Sequence, residues 1–242
     1  MKLLCSYVFI YGLFIRTIPE QIKATISAQQ DAILRIKEQI DNSYMQMDIE
    51  FDAEMKAKFN VLEEAFKQLS RSQKVWDVTN AVQQNRVAAR SAASTLVMKR
   101  EVAVAVKSIP DIRSERAPLW LKNANGADLY LYPGFVIMYD SRDQFGIIGY
   151  NELQFDFGPV RFVENGIVPG DSKVIDTTWE KVNKNGKPDK RFKDNRQIPI
   201  VRYGSISLKT RNGLHEEYEF SNYEATDSFG NAFSNYIRSI SN

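Results

Sequence analysis

Cysteine occurs once, at Cys5, and histidine once, at His215, in 242 residues. One cysteine excludes a disulfide framework and a thiolate metal cluster, and one histidine excludes any centre that needs two. No cofactor and no metal are therefore expected, and a reducing, cytoplasmic compartment fits. Charge of one sign is also lacking, with 32 Lys and Arg against 30 Asp and Glu. A uniformly basic nucleic-acid wrapper is excluded, and any polyanion site has to be a local patch. Long apolar runs are absent too. The most apolar stretch, Leu3 to Ile15, has 13 residues between Lys2 and Arg16, short of the roughly 20 that a spanning helix needs. Arg16-Thr17-Ile18-Pro19 follows it, where a secretory signal would place small residues. Residues 1–16 read as a buried or partner-facing segment, or a tail from an internal start site, with a short membrane anchor as the alternative.

Two further absences concern catalysis. There is no G-x-x-x-x-G-K-[ST] phosphate cradle and no G-x-S-x-G nucleophile elbow. His215, beside Glu216 and Glu217, reads as an exposed histidine with carboxylate neighbours. A carboxylate-metal nuclease could be assembled from Asp171, Asp176, Asp189 and Lys190, but their spacing is loose and lies in turn-forming sequence. The chain reads as a non-enzyme.

What is present begins with helical periodicity. From Ile18 to Leu69 the apolar residues (among them Ile22, Ile26, Ile33, Ile36, Ile40, Phe51, Phe59, Leu62 and Phe66) recur at a mean spacing near 3.6, the α-helical period. Glu38, Asp41, Asp48, Glu50 and Asp52 crowd the middle and weaken the case for one unbroken rod. Ser72 to Lys107 reads as a second helical segment, rich in Ala88, Ala89, Ala92 and Ala93. The alternation of Val102, Val104 and Val106 admits a strand at its end, and Pro110 closes it. Residues 17–108 are thus expected to form a helical hairpin or coiled-coil stalk. Either two helices bury each other's stripes, or the stripe recruits a second copy, because an uncovered stripe aggregates.

A connector spans 109–125, and 126–242 is expected to be a small antiparallel β domain. Strands are expected over Asp128–Tyr132, Phe135–Asp140 and Gln144–Tyr150, then at Leu153–Phe157, Arg161–Glu164, Lys173–Thr178 and Ile198–Thr210. At the last hairpin a two-residue turn would set Ile206 opposite Glu219, with carboxylates on the apolar face. A three-residue loop, Arg211-Asn212-Gly213, sets Ile206 opposite Tyr218 and Gly204 opposite Phe220, with Gly213 in the left-handed position. The three-residue loop is predicted. Ser221 and Glu224 read as a capping box for a C-terminal helix with the stripe Phe229, Phe233, Ile237 and Ile240. In element order 126–240 resembles a bacterial pleckstrin-homology-like domain, so the fold class is α+β.

The densest chemical feature is Trp179 to Pro199, with seven basic side chains in turn-rich sequence. Lys184, Lys187, Lys190, Arg191, Lys193 and Arg196 are the candidate anion or partner contacts, since Arg offers a planar fork and Lys a mobile charge. Trp179, Phe192 and Asp189 are the candidate anchors of the loop. Against this stands a purely structural reading, in which the Asp, Arg and Asn residues lock the loop onto the domain. The run W-x-x-V-N-K-x-G-x-P-D-x-R-F-x-x-N-x-Q-I-P resembles a signature of an uncharacterised bacterial family with a coiled-coil region before a β domain. Phe162-Val163-Glu164, Val168-Pro169-Gly170-Asp171 and Ser70 to Trp76 fit the same pattern. The resemblance implies an architecture and no activity. Function is expected to be that of a binding or adaptor module, a homo-oligomer with an anionic partner at the basic loop. Alternatives are peripheral membrane attachment through 1–16 and the loop, and nucleic-acid binding.

Overall fold

The computed structural model describes residues 2–47, 52–83, 95–183, 185–211 and 213–240, without the side chains of 2–19, 41–42 and 79–97. In chain order come α1 (Lys2–Ser43), β1 (Met45–Met47), α2 (Ala53–Leu69), β2 (Val75–Gln83), β3 (Thr95–Glu101), β4 (Val104–Val106), β5 (Ile112–Ser114) and β6 (Leu119–Leu121). Then follow β7 (Asp128–Leu131), β8 (Phe135–Ser141), β9 (Gln144–Gly149), a 3-10 turn (Tyr150–Glu152), β10 (Gln154–Val163), β11 (Lys173–Trp179), β12 (Gln197–Lys209), β13 (His215–Phe220) and α3 (Tyr223–Ile240). The chain divides into two compact units, Met1–Met47 with Asp111–Arg113, and Asp48–Pro110 with Ser114–Asn242.

In the first unit α1 exposes every side chain from Glu20 to Ile40. Beyond its end β1 pairs with β5, the Met45 N–H donates to the Asp111 carbonyl at 3.0 Å, and the Arg113 guanidinium lies 4.0 Å above the Tyr44 ring.

The expected stalk over 17–108 is overturned, and with it the α+β outline of stalk plus pleckstrin-homology-like domain. Described residues from Val75 to Val106 are mainly strand, because tertiary pairing overrides the alanine-rich propensity of the segment. Val75, Trp76 and Asp77 of β2 pair with Phe220, Glu219 and Tyr218 of β13, and β2 pairs on its other side with β3. Residues 84–94, which hold most of the alanines, lie outside the described set. α2 begins where Asp52 caps it, its carboxylate accepting the Met55 N–H at 2.7 Å. It buries Phe59, Leu62, Phe66 and Leu69 in the core of the second unit. The supposed connector contributes β6, whose Leu119 and Leu121 are fully buried. No separate domain begins at residue 126.

Two antiparallel sheets share that core. One runs β10-β12-β13-β2-β3 with β11 also paired to β12, and the other is the meander β4-β6-β7-β8-β9. The hairpin register is the predicted one: Ile206 faces Tyr218 and Gly204 faces Phe220. Thr210 N–H donates to the Leu214 carbonyl, and Gly213 has φ +118. Asn212 lies outside the described residues. The helix cap is shifted by one residue from the expected box. Asn222 accepts the Ala225 N–H at 2.9 Å, while the Ser221 hydroxyl is engaged by Lys74 N–H and Asp171.

α3 is the element both sheets meet. Phe229, Phe233 and Tyr236 are buried, each contributing on the order of 1.5–3 kcal/mol on transfer from water. Phe66 lies 5.5 Å from Phe229, Phe155 lies 4.7 Å from Phe233, and Tyr150 lies 5.5 Å from Phe233. Two glycines permit this approach. A Cβ on Gly204 would come within 2.3 Å of the Thr226 side chain, and one on Gly230 within 2.2 Å of the Phe157 ring. Gly230→Ala should therefore destabilise by about 1–3 kcal/mol through overpacking, although alanine gains about 1 kcal/mol in helix propensity. Urea denaturation decides the sign, and a more stable variant would refute the close-packing account.

Candidate anion-binding loop

The segment from Glu180 to Arg196 leaves β11 and returns as β12, and its backbone is stitched at three levels. At the base the Glu180 N–H donates to the Arg196 carbonyl at 3.0 Å. Above it Asn195 reads both backbone groups of Lys181: its carboxamide oxygen accepts the N–H at 2.9 Å and its NH2 donates to the carbonyl at 2.8 Å. At the tip Val182 bridges Pro188, and Asn183 N–H donates to the Lys187 carbonyl at 2.8 Å. Gly186 supplies the left-handed residue there, with φ +78.

Asp189 organises the second turn. Its carboxylate is 3% exposed. It accepts the Arg191 backbone N–H at 3.1 Å and the Arg191 Nε at 2.8 Å, with Nη2 on its second oxygen. This bidentate pair pushes the guanidinium pKa upward, the hydrogen bond to Asp189 being the largest cause. Arg196 is paired likewise, its Nε donating to Glu180 at 2.9 Å. Both arginines expected to meet a partner are thus engaged within the loop. Lys187, Lys190 and Lys193 are not: all three are exposed, and none has a carboxylate within ion-pair distance among the described residues. Lys184 lies outside the described residues.

The anchors are distributed differently from the expectation. Asp189 sits at the base of the turn, and Trp179 is half-buried at the end of β11. Phe192 does not anchor the loop: it is 36% exposed, because the successive turns closed by Phe192 N–H to Asp189 and Asn195 N–H to Phe192 direct it outward. Val182 and Ile198 are the buried apolar residues here, 6% and 7% exposed. The signal for Val182 was an isolated valine in an otherwise polar run.

The other sequence fragments grouped with this loop do converge. Lys74 Nζ meets Glu164 at 2.9 Å and the Ile167 carbonyl at 3.1 Å, and Tyr203 donates to the same Glu164 oxygen at 3.0 Å. Burial first, and then the Glu164 carboxylate, raise the Tyr203 pKa, which makes that phenol a fixed donor rather than a nucleophile. Asp171 accepts the Gln73 N–H and the Ser221 hydroxyl, each at 2.9 Å. On the same sheet face Phe162 is sandwiched by Tyr203, 4.5 Å away, and Trp76, 6.1 Å away, with Lys99 over its ring and paired to buried Glu219. Burial raises the Glu219 pKa despite that lysine. Apart from Trp76 Nε1 and one Asp171 oxygen, which have no hydrogen-bond partner among the described residues, these groups are paired and packed against one another, so they fix the sheet rather than offer an open site.

The carboxylates weighed for metal chemistry have separate partners. Asp171 serves Gln73 and Ser221, Asp176 pairs with Arg161 at 2.6 Å, and Asp189 holds Arg191. Among the described residues no group of three His, Cys, Asp or Glu could hold a metal ion. His215 is exposed at the start of β13, opposite Lys209. A hollow of about 340 Å³ beside Asn151, Glu152, Gln154 and Arg211 includes none of the loop cations.

Comparison with known proteins finds no matching family model, no matching curated protein and no matching solved structure.

Two outcomes follow from these contacts. Asp189→Ala removes the acceptor for three donors of Arg191, so trypsin should cleave at Lys190, Arg191 and Lys193 several-fold faster than in the parent chain. Unchanged cleavage would show that the turn does not depend on this carboxylate. The second concerns Asp77, fully buried opposite Tyr218. One oxygen accepts the Ala124 N–H at 2.7 Å, the other has no donor, and burial raises the acid's pKa. An acid raised on folding contributes stability below its unfolded pKa near 4 that is lost as pH rises through the folded value. Asp77→Asn should therefore stabilise more at pH 7 than at pH 4, read as the difference in urea midpoint from the parent at each pH. Equal differences would refute it.

Proposed function

We propose that the protein is a non-enzymatic binding module that self-associates through α1 and takes an anionic partner at the Lys187, Lys190 and Lys193 edge of its 180–196 loop. The observation that supports this most is the division of charge in the loop. Asp189 and Glu180 hold Arg191 and Arg196, while the three lysines stand exposed on a backbone already fixed by Asn195 and Val182. Ordered presentation lowers the entropy cost of binding, and exposed ammonium groups attract any polyphosphate without a shaped pocket. Self-association is supported by the exposed isoleucines of α1, Ile22, Ile26, Ile33, Ile36 and Ile40. Contiguous apolar surface of this kind marks an interaction site.

The reading places the protein in the cytoplasm. No described helix is long and apolar enough to cross a membrane, and the membrane reading rests on residues 1–16, whose side chains lie outside the described set. Inorganic polyphosphate, single-stranded DNA and phosphatidylserine vesicles serve as probes for the loop. Lys187→Gln/Lys190→Gln/Lys193→Gln should weaken polyphosphate binding by at least about tenfold, with the melting temperature unchanged. Affinity should fall steeply with salt. Equal binding by the triple variant, or no binding by the parent, would refute the anionic-partner reading. Preference for DNA or vesicles would identify the partner class.

A further inference from the structure

Resting on the self-association proposed above, we infer that α1 joins two further copies of itself in a parallel three-helix assembly. Between Ile22 and Ile40 the seam positions advance by four, three, four, three and four residues, through Ile26, Gln29, Ile33 and Ile36. That is a heptad, with Ile26, Ile33 and Ile40 at the first core position and Ile22, Gln29 and Ile36 at the second. The five isoleucines are 48–54% exposed.

The number of chains follows from side-chain shape. Isoleucine is branched at Cβ and restricted at χ1. In a two-stranded pairing the second core position points its knob straight at the partner backbone, which disfavours a β-branched side chain. In a four-stranded one the first core position does so. A three-stranded assembly accepts isoleucine at both, and isoleucine at both is what α1 carries.

The direction follows from charge. The positions that flank the seam are Lys23, Gln30 and Lys37 on one side and Thr25, Ala32 and Gln39 on the other, all exposed. In a parallel assembly the two sides of neighbouring chains meet, so each lysine faces a neutral residue. Antiparallel pairing with the stripes aligned sets Lys23 against Lys37 of the next chain, a like-charge contact. Glu20, Asp31, Arg35 and Glu38 lie at outer positions and favour neither arrangement. Gln29 makes one polar layer in the seam, of the kind that fixes register at some cost in stability. The occupant of the stripe is thus this chain itself, in the same direction and register.

Light scattering on the full-length protein at micromolar concentration should return three times the 27.8 kDa of one chain. Ile33→Asp/Ile36→Asp should return that mass to a single chain with the melting temperature of the β unit unchanged. In a Cys5→Ser background, Ile22→Cys should cross-link on mild oxidation. In the antiparallel alternative that position faces Ile40, and two copies of position 22 lie about 27 Å apart at 1.5 Å per residue. Cross-linking only when Ile22→Cys and Ile40→Cys chains are mixed overturns the parallel assembly. A mass of two or four chains overturns the three-chain assembly while leaving self-association standing. A single-chain mass for the parent overturns both.

Discussion

The second unit depends on how closely α3 lies on its surroundings. Phe229, Phe233 and Tyr236 are shared between α2, the β10–β12 side of one sheet and the Tyr150 turn of the other. That helix and α2 together fill the core that both sheets share, and sheets of this kind need such cover to be stable. Gly204 beneath Thr226 and Gly230 against Phe157 set the distance, because close packing leaves no slack for even one methyl group. The hydroxyls of Tyr150 and Tyr236 then close the interior, donating to the carbonyls of Tyr132 and Pro133 at 2.7 and 3.3 Å.

The candidate site follows from this rigid base. β12 is held on one side by β10 and on the other by β13 and β11, so the 180–196 loop departs from and returns to fixed backbone. Within it, short-range hydrogen bonds from Asn and Asp side chains replace the apolar burial that so polar a run cannot supply. The same residues that shape the loop also neutralise its two arginines. Structural and recognition roles are therefore separated by residue type, with the exposed guanidinium groups paired to carboxylates and the ammonium groups of Lys187, Lys190 and Lys193 left to water.

Much of the C-terminal half was legible in the sequence because its signals are local. The Arg211-Asn212-Gly213 loop follows from keeping Glu217 and Glu219 off the face of Ile206, and Pro133-Gly134 separates β7 from β8 as its turn chemistry suggests. The N-terminal half was misread where the deciding forces are long-range. Val75 to Asp77 become strand because β13 lies beside them, some 140 residues later in the chain, and no window of local sequence contains that partner. Helical spacing persists across Ser43 to Asp52 even though α1 and α2 belong to different units, since periodicity marks a face without marking what covers it. In the loop the basic cluster was visible. So was the tie of an Asp to an Arg and a backbone amide, which Asp189 makes with Arg191; the exposure of Phe192 was not, because it is set by the turns that follow Asp189.

The central claim is that the loop is preformed and offers its lysines without rearranging. Hydrogen exchange of the full-length protein, with and without inorganic polyphosphate, tests it most directly. The account predicts that amides of Asn183, Asp189 and Asn195 are already protected in the free protein, and that added polyphosphate slows exchange further in peptides covering 181–196 alone. Unprotected loop amides in the free protein, or slowed exchange elsewhere in the chain instead, would contradict it.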